Sequence, residues 1–266
     1  MSQDSKAPTV LYKYRPFNAD TLSCLTRNVL WFASPKTFND PFDGFVAAPK
    51  KREYEELKTV LGHHTSISNP FGDREFGFNL LDKIKNEGTA SAITTFRSSE
   101  AVTEEELEQK IKSRGVFSGS TTATNQLMWS HYSQNHQGLC IGYEIDYSKM
   151  DYAHVRKINY PLTDDREVLM DTDLYNEELA IEKLLTCKSR HWEYEEEWRL
   201  ILKEELATNI KGQEMPLIGE VHEIIFGMRM PDSHRETIHK IAKSKTFKKA
   251  IPKYRKFELD IKLYKA

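Results

Sequence analysis

The chain has 266 residues, long enough to bury a core without disulfides or metals. Its 38 basic and 40 acidic residues nearly cancel, which excludes an overall nucleic-acid coat, and a mean hydropathy of −0.62 with no apolar run near ~18 residues excludes a helical bilayer span. Its three cysteines, Cys24, Cys140 and Cys187, are odd in number and far apart, which argues against a disulfide framework or a cysteine zinc site.

In chain order, Val10 to Arg15 alternates as a strand rich in aromatics. Asn18 caps a short helix through Asn28, and Val29 to Ala33 is a second strand. Ser34-Pro35 and Asn39-Asp40-Pro41 are turn signals between Phe38 and Phe42. Arg52 to Leu61 and Phe76 to Asn86 read as helices flanking a loop, and Ala92 to Phe96 as a strand. Thr103 to Lys112 carries acids early and lysines late, as a helix favours. Val116 to Ser118 is a strand leading into a polar loop, and Asn125 to His131 a helix. Leu139 to Ile145 and Val155 to Tyr160 are strands, with an amphipathic helix at Asn176 to Lys188. Trp192 to Leu202, Val221 to Phe226 and Lys256 to Leu263 are strands, with a helix at Ser233 to Lys243.

Helices and strands mix without regular βαβ alternation, so the expected class is α+β: mixed, mainly antiparallel sheets with flanking helices. One domain over 1–266 is expected, with helical insertions near 50–90 and 163–190. Neither a G-x-G-x-x-G nor a P-loop pattern occurs. The N-terminus lacks the pattern of a signal peptide, so a cytoplasmic protein is expected.

Five segments have the residue types for chemistry. Arg15 stands where a strand meets a Pro turn, suited either to gripping a pyrophosphate or to a surface ion pair. Asp40 and Asp43 either fix a turn or offer a carboxylate to a ligand hydroxyl. Ser118-Gly119-Ser120 precedes Met128-Trp129-Ser130-His131-Tyr132 and His136-Gln137-Gly138. Those hydroxyls either cap a helix or hold a ribose or phosphate. His131 and His136, five apart, fit structural histidines better than metal ligands, and no metal is expected. Read as one strand, Trp192 to Leu202 puts Glu193, Glu195, Glu197 and Arg199 on a common face, either solvated or lining a cleft. Phe247 to Lys256 is basic with two aromatics, a solvated face or a phosphate contact.

Several of these motifs together resemble the bacterial family called domain of unknown function 2971. They are Leu11 to Arg15, Leu30 to Phe32, Phe38 to Asp43, Met128 to Tyr132, His136 to Gly138, Gly142-Tyr143 and Tyr194 to Leu200. A second resemblance is to ADP-ribosyltransferases of the Arg–Ser–Glu type. Those enzymes carry an Arg on an early strand, Ser-x-Ser on a middle one and Glu-x-Glu on a later one. Arg15, Ser118–Ser120 and Glu195–Glu197 follow that order, although Lys13 stands close to Arg15 as an alternative phosphate binder.

This second resemblance implies a split-sheet core and NAD as substrate. It implies transfer to a protein or nucleic-acid acceptor, or NAD hydrolysis, in a toxin or defence effector without membrane attachment. Glu197 would stabilise the oxocarbenium-like state and Glu195 would orient or deprotonate the acceptor, with Arg199 on the same charged face. Arg15 would hold the pyrophosphate and Ser118 or Ser120 the nicotinamide ribose. Tyr14 or Trp129 would stack on a ring, with His131 beside them. Two alternatives remain open: a nuclease using His131 or His136 with Glu197, and a non-catalytic binding or sensor module.

Overall fold

The computed structural model of the protein describes residues 7–44, 104–162, 177–206 and 211–264. The readings at Arg52 to Leu61, Phe76 to Asn86 and Ala92 to Phe96 lie outside them. The chain divides into two compact units. One comprises residues 1–45, 109–166 and 184–266, and the other 46–108 and 167–183.

The elements are β1 (Val10–Arg15), α1 (Ala19–Arg27), β2 (Val29–Ala33), α2 (Glu104–Ser113), β3 (Arg114–Ser120), α3 (Gln126–Tyr132), β4 (Leu139–Ile145), β5 (Ala153–Lys157), α4 (Glu177–Thr186), β6 (Glu197–Glu205), β7 (Gly212–Pro216), β8 (Gly219–Phe226), α5 (Asp232–Ile241), β9 (Ser244–Pro252) and β10 (Leu259–Leu263). All described strands belong to the first unit. They form one mixed sheet in the order β10-β9-β8-β4-β1-β3-β2-β7, with β6 on β3 and β5 on β6. Only β8 and β9 pair in parallel; every other pairing is antiparallel. The class is α+β.

Local chemistry explains the first elements. Asn18 Oδ1 accepts the Thr21 amide as N-cap of α1, and Asn28 closes the helix in the left-handed region at φ 56°. Asn125 Oδ1 caps α3 by accepting from the Leu127 and Met128 amides. The β4 strand is paired on both edges, by β1 and β8, and buried on both faces by two cores. Leu139, Ile141, Tyr143 and Ile145 enter a large core with Leu11, Phe117, Leu200 and Phe226. Cys140 faces a smaller core with Tyr14, Trp129 and Ile225.

Two strands differ from the sequence reading. Trp192 to Leu202 is not one strand. Ser189 caps a 3-10 turn over Arg190–Glu195, Glu196 takes a left-handed conformation at φ 46°, and only then does β6 begin. The Glu-rich run lacks the β-branched residues that favour a strand, and short polar caps compete for its backbone. The segment Phe247 to Lys256 is largely strand, not a detached basic stretch. Five lysine and arginine side chains hid an edge hairpin, where such residues are common.

The junction between β1 and β3 positions the site. These strands meet at one pair, Tyr12 opposite Ser120. Beyond it the Lys13 ammonium takes over as donor, with Nζ 2.6 Å from the Ser118 carbonyl oxygen. Among the described residues no helix is long and apolar enough to cross a membrane.

Candidate functional site

Charged side chains gather beside the β3–β6 pair. Ser120 lies opposite Glu197 and Ser118 opposite Arg199, so all four project from the same face. Glu197 and Arg199 are 3% and 1% exposed, and neither is left unpaired. Arg199 Nε donates to Glu197 Oε1 at 2.7 Å, and Nη1 and Nη2 hold the Asp43 carboxylate at 2.8 and 2.5 Å. Arg199 Nη1 also donates to the Leu185 carbonyl at 2.8 Å, and the guanidinium lies over the Phe38 ring.

Lys188 completes the cluster. Its Nζ lies 2.6 Å from Glu195 Oε2, 3.0 Å from Glu197 Oε2 and 3.7 Å from Asp43 Oδ2. Its ammonium also sits over the Trp192 ring. The remaining oxygen of Glu195, Oε1, accepts the Tyr132 hydroxyl at 2.6 Å. Asn39 Nδ2 in turn donates to Tyr132 Oη at 3.2 Å, at the exposed rim of the cluster. The Glu197 amide donates to Tyr160 Oη at 3.1 Å, and the Ser118 side chain helps to hold the Glu197 carboxyl low.

The two glutamates are pushed in opposite directions. Burial alone would raise both. At Glu197 the charges of Arg199 and Lys188 outweigh it and hold the carboxyl well below its usual range. At Glu195 burial prevails over Lys188, helped by the negative charge of Glu197, and the pKa rises. Lys188 is held protonated because Glu197 and Glu195 outweigh its own desolvation. Burial, then the Arg15 charge, pushes the Lys13 ammonium down to about 8 against the pull of Glu197 and Glu195.

The structure thus brings Glu195, Glu197, Arg199 and Ser118 together, though not as the sequence reading had them. Glu195 reaches the cluster from the 3-10 turn, with Lys188 as the link, and not from a shared strand face. The other named residues take different places. Tyr14 is buried, and its hydroxyl donates to the Thr122 carbonyl at 2.9 Å. Trp129 is fully buried, edge-on to Tyr14, with Nε1 donating to the Ala123 carbonyl at 2.8 Å. Both rings are core, so neither offers a stacking face. Ser120 is 1% exposed and its Oγ accepts the Thr122 amide, a local turn bond. His131 is exposed, beside the Tyr132 ring.

Arg15 does not join the cluster. It lies opposite Leu139, whose side chain is in the large core, whereas Tyr12, on the Glu197 face, packs on the small core. Arg15 and Glu197 therefore occupy opposite faces of the sheet. Lys13 shares the Arg15 face, yet it is the residue of β1 whose side chain reaches β3, at the Ser118 carbonyl. His136 is packed against Trp129, with Nε2 3.3 Å from Ser130 Oγ, and it heads a tight loop. Gly138 in that loop leaves room for the Arg15 carbonyl, which a Cβ would meet at 2.2 Å. Among the described residues, no hydrogen bond or ion pair joins His131 or His136 to Glu197, and no group of three His, Cys, Asp or Glu is placed to hold a metal.

Sequence reasoning missed Lys188, Tyr132 and Tyr160 and left Asp43 level with Asp40. Asp40 turns out to cap its own loop, its Oδ1 accepting the Phe42 amide at 2.9 Å. The signal for Asp43 was an unpaired cation on an otherwise buried strand. Trp198, Arg199 and Leu200 to Leu202 leave Arg199 nowhere to go but a buried carboxylate. No such signal marked Lys188, which follows a helix on a short connector.

No curated protein and no solved structure gives a significant match to the chain. The cluster residues Tyr132, Lys188, Glu195, Glu197 and Arg199 all fall in the segment, residues 128–200, that matches the model of the family described as Protein of unknown function (DUF2971), the family that the sequence motifs resemble.

Proposed function

We propose that this chain cleaves the nicotinamide–ribose bond of NAD, as an ADP-ribosyltransferase acting on a protein or nucleic-acid acceptor or as an NAD glycohydrolase. The observation that carries the reading is the opposed displacement of Glu195 and Glu197 around the Lys188 ammonium. Paired carboxylates whose environments separate them divide into an ionised stabiliser and a proton carrier.

In this reading the C1′–N bond breaks and its electron pair leaves with nicotinamide. Glu197, ionised throughout, faces the oxocarbenium-like ribose. Water or an acceptor atom attacks C1′ and loses its proton to Glu195, a stronger base than an ordinary glutamate. Lys13 replaces Arg15 as the cation for the pyrophosphate, since it alone of the two reaches Ser118. Asn39 and Tyr132 cover the pair at its rim and must move to admit the substrate.

The experiment is nicotinamide release from NAD by the purified protein, with protein and nucleic-acid acceptors supplied. Release is expected, and its loss in Glu197→Gln and Glu195→Gln. Absence of release from well-folded protein sinks the reading. A second reading is favoured by the saturation of the cluster: every oxygen of Asp43, Glu195 and Glu197 has a partner. There the cluster is a buried clamp in a non-catalytic binding module, and folded wild-type protein that neither binds nor cleaves NAD supports it.

A further inference from the structure

The charge of the chain is unevenly placed. Residues 243–266 hold nine lysines and arginines against two acids, whereas the whole chain has 38 against 40. The described part of this stretch is the β9–β10 hairpin, whose second strand forms one edge of the sheet. Its connecting turn presents Tyr254 and Phe257, 81% and 100% exposed, among Lys253, Arg255 and Lys256.

The turn is fixed. The Lys253 amide donates to the Glu258 carbonyl at 2.9 Å and the Lys256 amide to the Lys253 carbonyl at 3.2 Å. Gln126 Nε2, at the start of α3, donates to the Phe257 carbonyl. Arg255 is held at φ 59°, where glycine or asparagine costs less, and its guanidinium lies 5.1 Å from the centre of the Tyr254 ring. Two largely exposed rings thus stand on an ordered support that gains little for the fold by exposing them.

We propose that this hairpin tip binds single-stranded nucleic acid, with Tyr254 and Phe257 stacking on unpaired bases and Lys253, Arg255 and Lys256 facing the phosphates. Stacking platforms among cations are the general means of gripping a single strand, and a pre-ordered turn lowers the entropy cost of binding. Glu258, bridged to Lys253 at 2.7 Å, and Asp260 lie among these cations. A bilayer interface would have to dehydrate both carboxylates, whereas base amino groups can donate to them. The proposal is independent of the NAD reading, because no residue of the glutamate cluster takes part.

The test is fluorescence anisotropy with labelled oligouridylate and oligothymidylate, duplex DNA as competitor, and sedimentation with phosphatidylglycerol vesicles alongside. Binding to the single strands is expected, weakening steeply with salt. Affinity should drop about tenfold or more in Tyr254→Ala/Phe257→Ala. Both side chains are exposed, so the thermal midpoint should hold, and Arg255→Glu/Lys256→Glu provides a second variant that tests charge alone. No binding at low salt, equal binding by the alanine variant, a preference for duplex, or binding to vesicles alone would each overturn the proposal.

Discussion

Arg199 grips Asp43 with both terminal nitrogens, at 2.8 and 2.5 Å, so a strand residue and a loop residue 156 positions apart share one buried ion pair. Nε of the same guanidinium is committed to Glu197. Only a planar fork serves both carboxylates together. Arg199→Lys is therefore expected to destabilise the protein by about 2–4 kcal/mol, because one ammonium leaves a buried carboxylate underpaired. Urea unfolding measures this, and a midpoint equal to the wild type would show that the fork is dispensable.

Lys188 is the only described cation bonded to both glutamates. Lys188→Met leaves two buried carboxylates facing each other, at a cost of about 3–5 kcal/mol. Glu195→Gln removes one of those charges, so the double variant Lys188→Met/Glu195→Gln should be more stable than Lys188→Met alone. A double-mutant cycle by denaturation reads the coupling. Strictly additive losses would mean that the two side chains do not act as a unit.

The clamp also sets a pH dependence. Glu197 is depressed in the fold, so the unfolded chain binds its proton first as pH falls, and the stability it contributes is present above the ordinary carboxylate range. Its contribution is lost as pH falls below about 4 towards the folded value. Glu195 is raised, so its effect has the opposite sign: stability declines as pH rises from the ordinary carboxylate range through its folded pKa. The stability gap between wild type and Glu197→Gln, about 3 kcal/mol at neutral pH, should accordingly close in acid. Denaturation midpoints of the two proteins across pH test this, and a gap independent of pH would count against an ionised Glu197.

Trp129 separates packing from ligand binding. Its ring is fully buried and its indole N–H satisfies the Ala123 carbonyl. Trp129→Ala should cost about 3–5 kcal/mol. Trp129→Phe should cost less and leave any nucleotide affinity unchanged once the protein is folded. Weakened NAD binding in folded Trp129→Phe would restore the ring to the site.

The sequence carried much of the scaffold, because β1, β2 and β4 are short runs rich in apolar and aromatic residues and asparagines cap α1. The strand β7 was not legible: Gly212 to Pro216 has no apolar period, and its pairing with β2 supplies the order. At the site, alternation along β6 does put Glu197 and Arg199 on one face. Glu195 was found for a reason that does not hold: the left-handed Glu196 separates it from that strand, and Lys188 gathers the two carboxylates. Trp129 and Tyr14 were misplaced because an aromatic in a motif looks the same whether it packs or binds. Arg15 was displaced by reach and not by phase: Lys13 shares its face two residues earlier, and Lys13 is the one bonded to the Ser118 carbonyl.

That difference in reach makes Lys13 the sharpest remaining test. Its ammonium bridges to the Ser118 carbonyl and is pushed down to about 8 by burial and by Arg15. Between about pH 8 and pH 10.4 the folded chain gives up this proton while the unfolded chain keeps it. Stability should then rise with pH across that window, a rise that Lys13→Met removes. The same depression leaves a sizeable neutral amine near pH 8. An amine acylating reagent at that pH should modify Lys13 ahead of its share among the lysines, read by peptide mass spectrometry. Labelling of Lys13 no faster than that of exposed Lys149, whose ammonium is held charged by its bond to Asp146, would show that the Lys13 amine is either inaccessible or ordinarily basic.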